Sequence, residues 1–257
     1  MYKESYKGFV MLKATIDADT FRESIDAVAA LVTECRLHVD DTGIRTCAVD
    51  TANVAMVSLE LGTDAFETYE AAPEELGIDI AKMKSILGMM SKGDLLTLNL
   101  AEGSHKLELS FGSYQYSVTL LDVNTIRKDP NPPAIELPGM VELEGNALSS
   151  AIKAADVISD KIALGIEEAT ETFYMMAEGD TDHIRLELGR DQVIDLRAAE
   201  VRSLFSLDYL KDMGKVMARA EKVRAEIGVD HPARFIFDLA DGGGHIEYLL
   251  APRIEAD

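Results

Sequence analysis

The residues able to do chemistry are few and far apart. Histidines stand at 38, 105, 183, 231 and 245, and the only cysteines are Cys35 and Cys47. None of the imidazoles adjoins a cysteine or carboxylate set with metal-ligand spacing, and the two cysteines form neither a CxxC pair nor a zinc motif. They read as reduced intracellular thiols. There is no GxxxxGK[ST] phosphate loop, HExxH, GxSxG or GxGxxG. Gly242-Gly243-Gly244 precedes a strand-like run and reads as a turn. Asp50 follows an apolar stretch and precedes Thr51-Ala52, a place for a turn cap rather than a catalytic acid. The expectation is a protein that is not an enzyme, with no metal and no cofactor.

The chemistry that remains is charge. The 257 residues carry 25 Lys plus Arg against 46 Asp plus Glu, a formal net charge of −21. Taken globally this opposes nucleic acid, because duplex affinity comes from cations neutralising phosphates. The bases are nevertheless concentrated. Lys82, Lys84 and Lys92 lie in 81–92, and Lys211, Lys215, Arg219 and Lys222 lie in 208–222, opposed within those windows only by Asp208, Asp212 and Glu221. Arg22 and Lys153 add one base each from two further helical stretches. Such a set suits phosphate contact. No Arg, Asn or Gln cluster suits base-edge reading, so any binding to duplex is expected to be weak, sequence-independent and salt-sensitive.

The elements that must position these bases follow from periodicity. Val10, Leu12, Ala14 and Ile16 alternate as a half-buried strand. Asp19 and Thr20 offer an N-cap to a helix whose Phe21, Ile25, Val28 and Leu31 share one face. Strands are predicted over 35–40, 44–49 and 54–61, a second helix over 80–91, and three alternating runs around Leu98, Leu109 and Val118. Two helices against an antiparallel sheet make the class α+β. Apolar residues are 47% of the chain but Trp is absent, so the core rests on aliphatic side chains. No run approaches the ~20 apolar residues of a membrane span, and the N-terminal stretch has no secretory h-region, so a cytoplasmic, nucleoid-associated protein is expected.

The pattern then repeats. "MVSLEL" (56–61) returns 127 positions later as "HIRLEL" (183–188). In the same register Ile25 meets Ile152, Leu37 meets Leu164, Lys84 meets Lys211 and Met90 meets Met217. The chain is two tandem copies of one domain. Four of its seven prolines, at 130, 132, 133 and 138, fall between the copies, where they impose an extended connector. The division is 1–121, connector 122–139, and 140–257.

The segments "AVDTANVAMVSLEL" (48–61), "LLDVNTI" (120–126), "SLFSLDYLKDM" (203–213) and "LLAPRIE" (249–255), in that order and with the repeat, resemble the PCNA family of archaeal sliding clamps over essentially the whole chain. The acidity looks most like haloarchaeal members. The resemblance implies a homotrimeric ring around double-stranded DNA, lined by the basic helices, that tethers DNA polymerase and other replication and repair enzymes. It implies that the "MVSLEL" strand pairs with "HIEYLLA" (245–251) of the same chain. It further implies that "HIRLEL" pairs with "YQYSVTL" (114–120) of the next subunit, through Tyr114, Tyr116, Val118, Ile184, Leu186 and Leu188. By position it places a groove for short peptide motifs of polymerase, clamp loader, flap endonuclease and ligase at Val49, Val54, Met56, Val123 and Ile126, closed by Pro232, Leu249, Ala251, Pro252 and Arg253. Asn53 stands where some relatives carry a polar ring, and Leu249 where some carry an aromatic. The alternatives are a subunit of a heteromeric, checkpoint-type clamp and an unrelated hydrolase.

Overall fold

A computed structural model describes residues 10–239 and 242–254. The first half runs β1 (Val10–Asp17), α1 (Ala18–Ala29), β2 (Glu34–Asp40), β3 (Gly43–Val49), β4 (Ala55–Gly62), β5 (Phe66–Ala71), β6 (Glu74–Asp79), α2 (Ile80–Leu87), β7 (Leu95–Ala101), β8 (Lys106–Phe111) and β9 (Tyr114–Thr119). The second half repeats the order. It runs β10 (Gly139–Leu143), α3 (Gly145–Asp156), β11 (Lys161–Glu167), β12 (Thr172–Glu178), β13 (His183–Gly189), β14 (Asp195–Arg197), β15 (Val201–Ser206), α4 (Leu207–Met217), β16 (Val223–Ile227), β17 (Ala233–Leu239) and β18 (Gly244–Leu250). Helices α1 and α3 start 127 residues apart, as do α2 and α4.

The strands form sheets ordered β5-β1-β7-β8-β9, β14-β10-β16-β17-β18-β4-β3-β2-β6 and β13-β12-β11-β15, all of whose pairs are antiparallel. The repeat explains this arrangement. Each half builds one five-stranded and one four-stranded sheet. The nine-stranded sheet is the five-stranded sheet of the second half joined to the four-stranded sheet of the first through β18 and β4. A single sheet per half is therefore refined to two.

Local chemistry sets the helix positions. Asp17, rather than the expected Asp19 or Thr20, caps α1 by accepting from Asp19 N and Thr20 N. Phe21, Ile25 and Val28 are its buried stripe. Asp79 caps α2 by accepting from Lys82 N. That helix ends at Leu87, short of the expected 91, with Gly88 at its C-cap. In α3, Gly145 is required by packing: a Cβ there would stand 1.9 Å from Met217 O of α4. Helix α1 touches α2 and α4, and α4 touches α3, so the four form one continuous row. The halves are also locked by Tyr248 of β18, which is fully buried and donates its hydroxyl to Ala27 O at 2.8 Å.

Candidate nucleic-acid face, peptide groove and open edges

The helix row carries the charge. Its four helices contain six bases (Arg22, Lys82, Lys84, Lys153, Lys211 and Lys215) and six acids (Asp19, Glu23, Asp26, Asp156, Asp208 and Asp212). The row is formally neutral, so the rest of the chain carries the whole −21. The geometry also sets acids beside several of these bases. Asp26 accepts from Lys84 Nζ and Arg219 Nη1, each at 2.9 Å. Lys211 pairs with Asp156 at 3.0 Å, Lys215 with Asp212 at 2.7 Å, and Lys222 with the buried Glu142 at 3.1 Å. Arg22 differs most. It pairs with Asp19 and donates to Leu87 O, which also accepts from Met90 N, and to Met90 O just past the end of α2. It is a helix cap, and its guanidinium is already engaged. Lys82, Lys92 and Lys153 are exposed, and their ammonium groups have no ion-pair partner among the described residues.

The first half's second site lies where the connector crosses the nine-stranded sheet. Leu121 N donates to Gly77 O at 2.9 Å and starts the crossing. Arg36 Nη2 donates to Ile126 O at 2.8 Å, and His38 Nε2 meets Asp129 Oδ2 at 2.6 Å. Arg127 reaches back to the β3–β4 loop, donating to Asp50 O at 2.9 Å and to Asn53 Oδ1. Beneath the strap is a cavity of about 260 Å³ lined by Leu31, Val32, Cys35, Val49, Ile126 and Arg127 among others. Val49, Met56 and Leu249 stand directly opposite one another across β3, β4 and β18, so their side chains share a face. Ala251 N donates to Val54 O at 2.8 Å. Pro232 is half-buried at the start of β17, and Pro252 is half-buried just past β18. Two expected members make contacts of their own. Val123 lines a different cavity with Leu76, Gly77 and Leu100. Arg253 is tied to the second half by Arg253 N to Leu204 O at 2.7 Å and by an ion pair to Asp160 at 2.7 Å.

Asp50 holds the loop that leads into β4. Its carboxylate accepts from Ala52 N, Val54 N and Ala55 N at 2.7–2.9 Å and from the Tyr209 hydroxyl of α4 at 2.8 Å. Burial pushes this carboxyl up, but the donated bonds outweigh it and hold the group below its ordinary value. Burial, aided by Asp50, pushes Tyr209 up to about 12. The capping reading of Asp50 is thus what the loop shows.

The third feature is a pair of unfilled borders. Strands β4 and β18 pair over seven residues, from Gly244↔Leu61 to Leu250↔Ala55, the pairing expected of "MVSLEL" and "HIEYLLA". Their counterparts in the other copies, β13 and β9, are both edge strands. On β13, Ile184, Leu186 and Leu188 are half-exposed although they touch the core. On β9, Tyr114 is 56% exposed and Tyr116 is half-buried, with Phe111 stacked on Tyr116 at 5.7 Å. Val118 is 5% exposed, so its side chain already serves its own core.

Comparison with known proteins gives the family. Residues 11–129 match the family model described as the N-terminal domain of proliferating cell nuclear antigen. The DNA polymerase sliding clamp of Methanoculleus marisnigri is 68% identical over 96% of this chain and 100% of its own length. That of Halobacterium salinarum is 44% identical over the same shares, so the methanogen protein is the more similar of these two. PCNA of A. fulgidus, solved with the C-terminal region of FEN-1 bound, superposes with a TM-score of 0.91 at 35% identity, covering 96% of this chain and 100% of that one. The chain belongs to the PCNA family of DNA polymerase sliding clamps. Its fold is the two-domain α+β clamp fold. Sequence reasoning overlooked two things here: the Arg127 strap and the acids of α1 and α3 that face the bases. Nothing in local sequence signals either, since Arg127 meets its partners 74 and 77 residues away, and Arg219 meets Asp26 at a separation of 193.

Proposed function

We propose that three copies of this chain join head to tail, β13 of one against β9 of the next, into a closed ring that encircles double-stranded DNA. The observation that carries this reading is the repeat itself. A joint that β4 and β18 make within the chain has both of its counterparts left open at opposite borders. An antiparallel edge exposes a row of backbone donors and acceptors that another strand completes. Because the two borders differ, the contact is heterologous and closes into a ring when the rotation allows. Six similar domains then meet at six similar joints, and the helix row faces the hole.

The domain division 1–121, 122–139 and 140–257 belongs to the same proposal, with the connector as the strap across the peptide groove. In this reading the exposed Lys82, Lys92 and Lys153 contact phosphates, joined by the paired Lys84, Lys211, Lys215, Arg219 and Lys222. A ring holds by topology, so weak contact suffices and leaves it free to slide. The ring has no catalysis of its own. It raises the local concentration of DNA polymerase, clamp loader, flap endonuclease and ligase by tethering their short peptides. Val49, Val54, Met56, Val123, Ile126, Pro232, Leu249, Ala251, Pro252 and Arg253 form the groove, whose apolar side chains accept the anchors of such peptides. That A. fulgidus PCNA was solved with the C-terminal region of FEN-1 bound supports a replication enzyme as partner. Light scattering coupled to size-exclusion chromatography, run across salt concentrations, tests the assembly. A mass near three chains is expected, and a monomer that persists at high salt overturns the homotrimer.

A further inference from the structure

Among the described residues, Asp26 is the one carboxylate that holds two of the candidate DNA-contacting bases, and it holds one from each half of the chain. It sits on α1 with a side chain 13% exposed, between Lys84 of α2 and Arg219 just beyond α4. Lys84 and Arg219 remain 55% and 43% exposed, so each can reach a second anion without losing the first. Burial raises the Asp26 carboxyl, but the bonds from Lys84 and Arg219 outweigh it and keep the group ionised. Glu23, one turn earlier on the same helix, is pushed up by burial and drawn back by Arg219.

We propose that Asp26 is a built-in counter-anion that limits how strongly the helix row attracts duplex phosphates. It fixes Lys84 and Arg219 across the junction of the halves and cancels one of their two charges. The inference rests on the reading that this row faces DNA. The physical reason for such a residue is mobility. Each base that neutralises a phosphate adds about 0.9 to the slope of log affinity against log salt. A row with unopposed cations would grip the backbone and slow sliding, whereas a neutral row with a few partly shared cations contacts phosphates and lets go.

The test is duplex binding by the full chain, read as fluorescence anisotropy of a labelled DNA across a series of salt concentrations. Asp26→Asn is expected to bind several-fold tighter at low salt, with a slope steeper by about 1–2. Removing both bases as well, in Asp26→Asn/Lys84→Gln/Arg219→Gln, is expected to remove that gain. An Asp26→Asn protein with a native thermal transition and an unchanged or shallower slope overturns the proposal. Should Asp26→Asn fail to fold, Lys84→Gln/Arg219→Gln with Asp26 intact carries the test. It must bind more weakly than the parent, and unchanged binding overturns the proposal. Lys82→Gln/Lys153→Gln separates the two levels. If it leaves binding unaltered, the DNA-facing reading itself fails. If it weakens binding while Asp26→Asn matches the parent slope, only the counter-anion role fails.

Discussion

Leu59 and Leu186 occupy the same place in the repeat, yet they live in different surroundings. Leu59 on β4 faces Ile246 of β18 across the ladder and is 1% exposed. Leu186 on β13 has β12 on one side and, among the described residues, no strand on the other, and it is half-exposed. The loops leading into the two strands differ as well. Asp50 braces the first with three backbone amides and Tyr209, while the equivalent position in the second half is Ala177, in β12. The difference shows which joint must stand alone. The closed joint is finished with buried side chains and a braced loop, so it holds the halves together from the moment of folding. The open borders keep an apolar row that is only half covered, which suits association after folding.

The largest expected effect contrasts these two leucines directly. Leu59→Asp buries an uncompensated charge in a filled joint and is expected to abolish cooperative folding. Leu186→Asp is expected to leave the thermal transition of the single chain nearly in place while removing the assembled species. A melt and a light-scattering mass on each variant check this, and equal loss of folding in both would erase the contrast.

Next comes the loop brace. Asp50→Ala removes the acceptor of three amides and one hydroxyl and is expected to cost about 1.5–3 kcal/mol. The pH dependence follows from the sign of the shift. The Asp50 carboxyl titrates lower in the folded chain than in the unfolded one. Its stabilisation is therefore present above the ordinary carboxylate range and is lost as pH falls through the folded value. Denaturant melts between neutral and acidic pH should show a shallower acid limb in Asp50→Ala than in the parent. An identical limb would mean that the brace does not titrate with folding.

The smallest effects compare two hydroxyls. Tyr248→Phe leaves Ala27 O without its donor inside the closed joint and is expected to cost about 1 kcal/mol. Tyr116, at the open border, directs its hydroxyl to Met89 Sδ at 3.1 Å, and Tyr116→Phe is expected to change stability within about 0.5 kcal/mol. Chemical denaturation of both variants ranks them, and a reversed order would show that the β18 joint is not the better finished one.

Much of this was legible from periodicity. The alternation in β1, β4 and β13, the register of 127 and the proline-rich connector follow from residue spacing alone. Other features were not. Phe66–Ala71 reads FETYEA and among the described residues pairs only with β1, so its outward positions carry charge and its pattern is too weak to announce β5. Glu74–Asp79 holds a single unbroken buried run, Leu76–Ile78, instead of an alternation. Along 208–222 the partners Asp208 and Asp212 are visible in the window itself, whereas the acids that answer Lys84, Arg219 and Lys222, and a second acid beside Lys211, come from α1, α3 and β10. In the groove, Val49, Met56 and Leu249 converge through strand register, whereas the Arg127 strap is a product of the tertiary path alone.

The most direct test of head-to-tail joining mixes two chains that are each broken at one border. Leu186→Asp damages β13 and leaves β9 intact, while a Tyr114→Asp/Tyr116→Asp chain does the reverse. Each alone should run as a monomer, and an equimolar mixture should give a light-scattering mass near two chains and no more, since only one good joint can form. A mixture that stays monomeric, or either variant forming the full assembly by itself, would contradict the joining of β13 to β9.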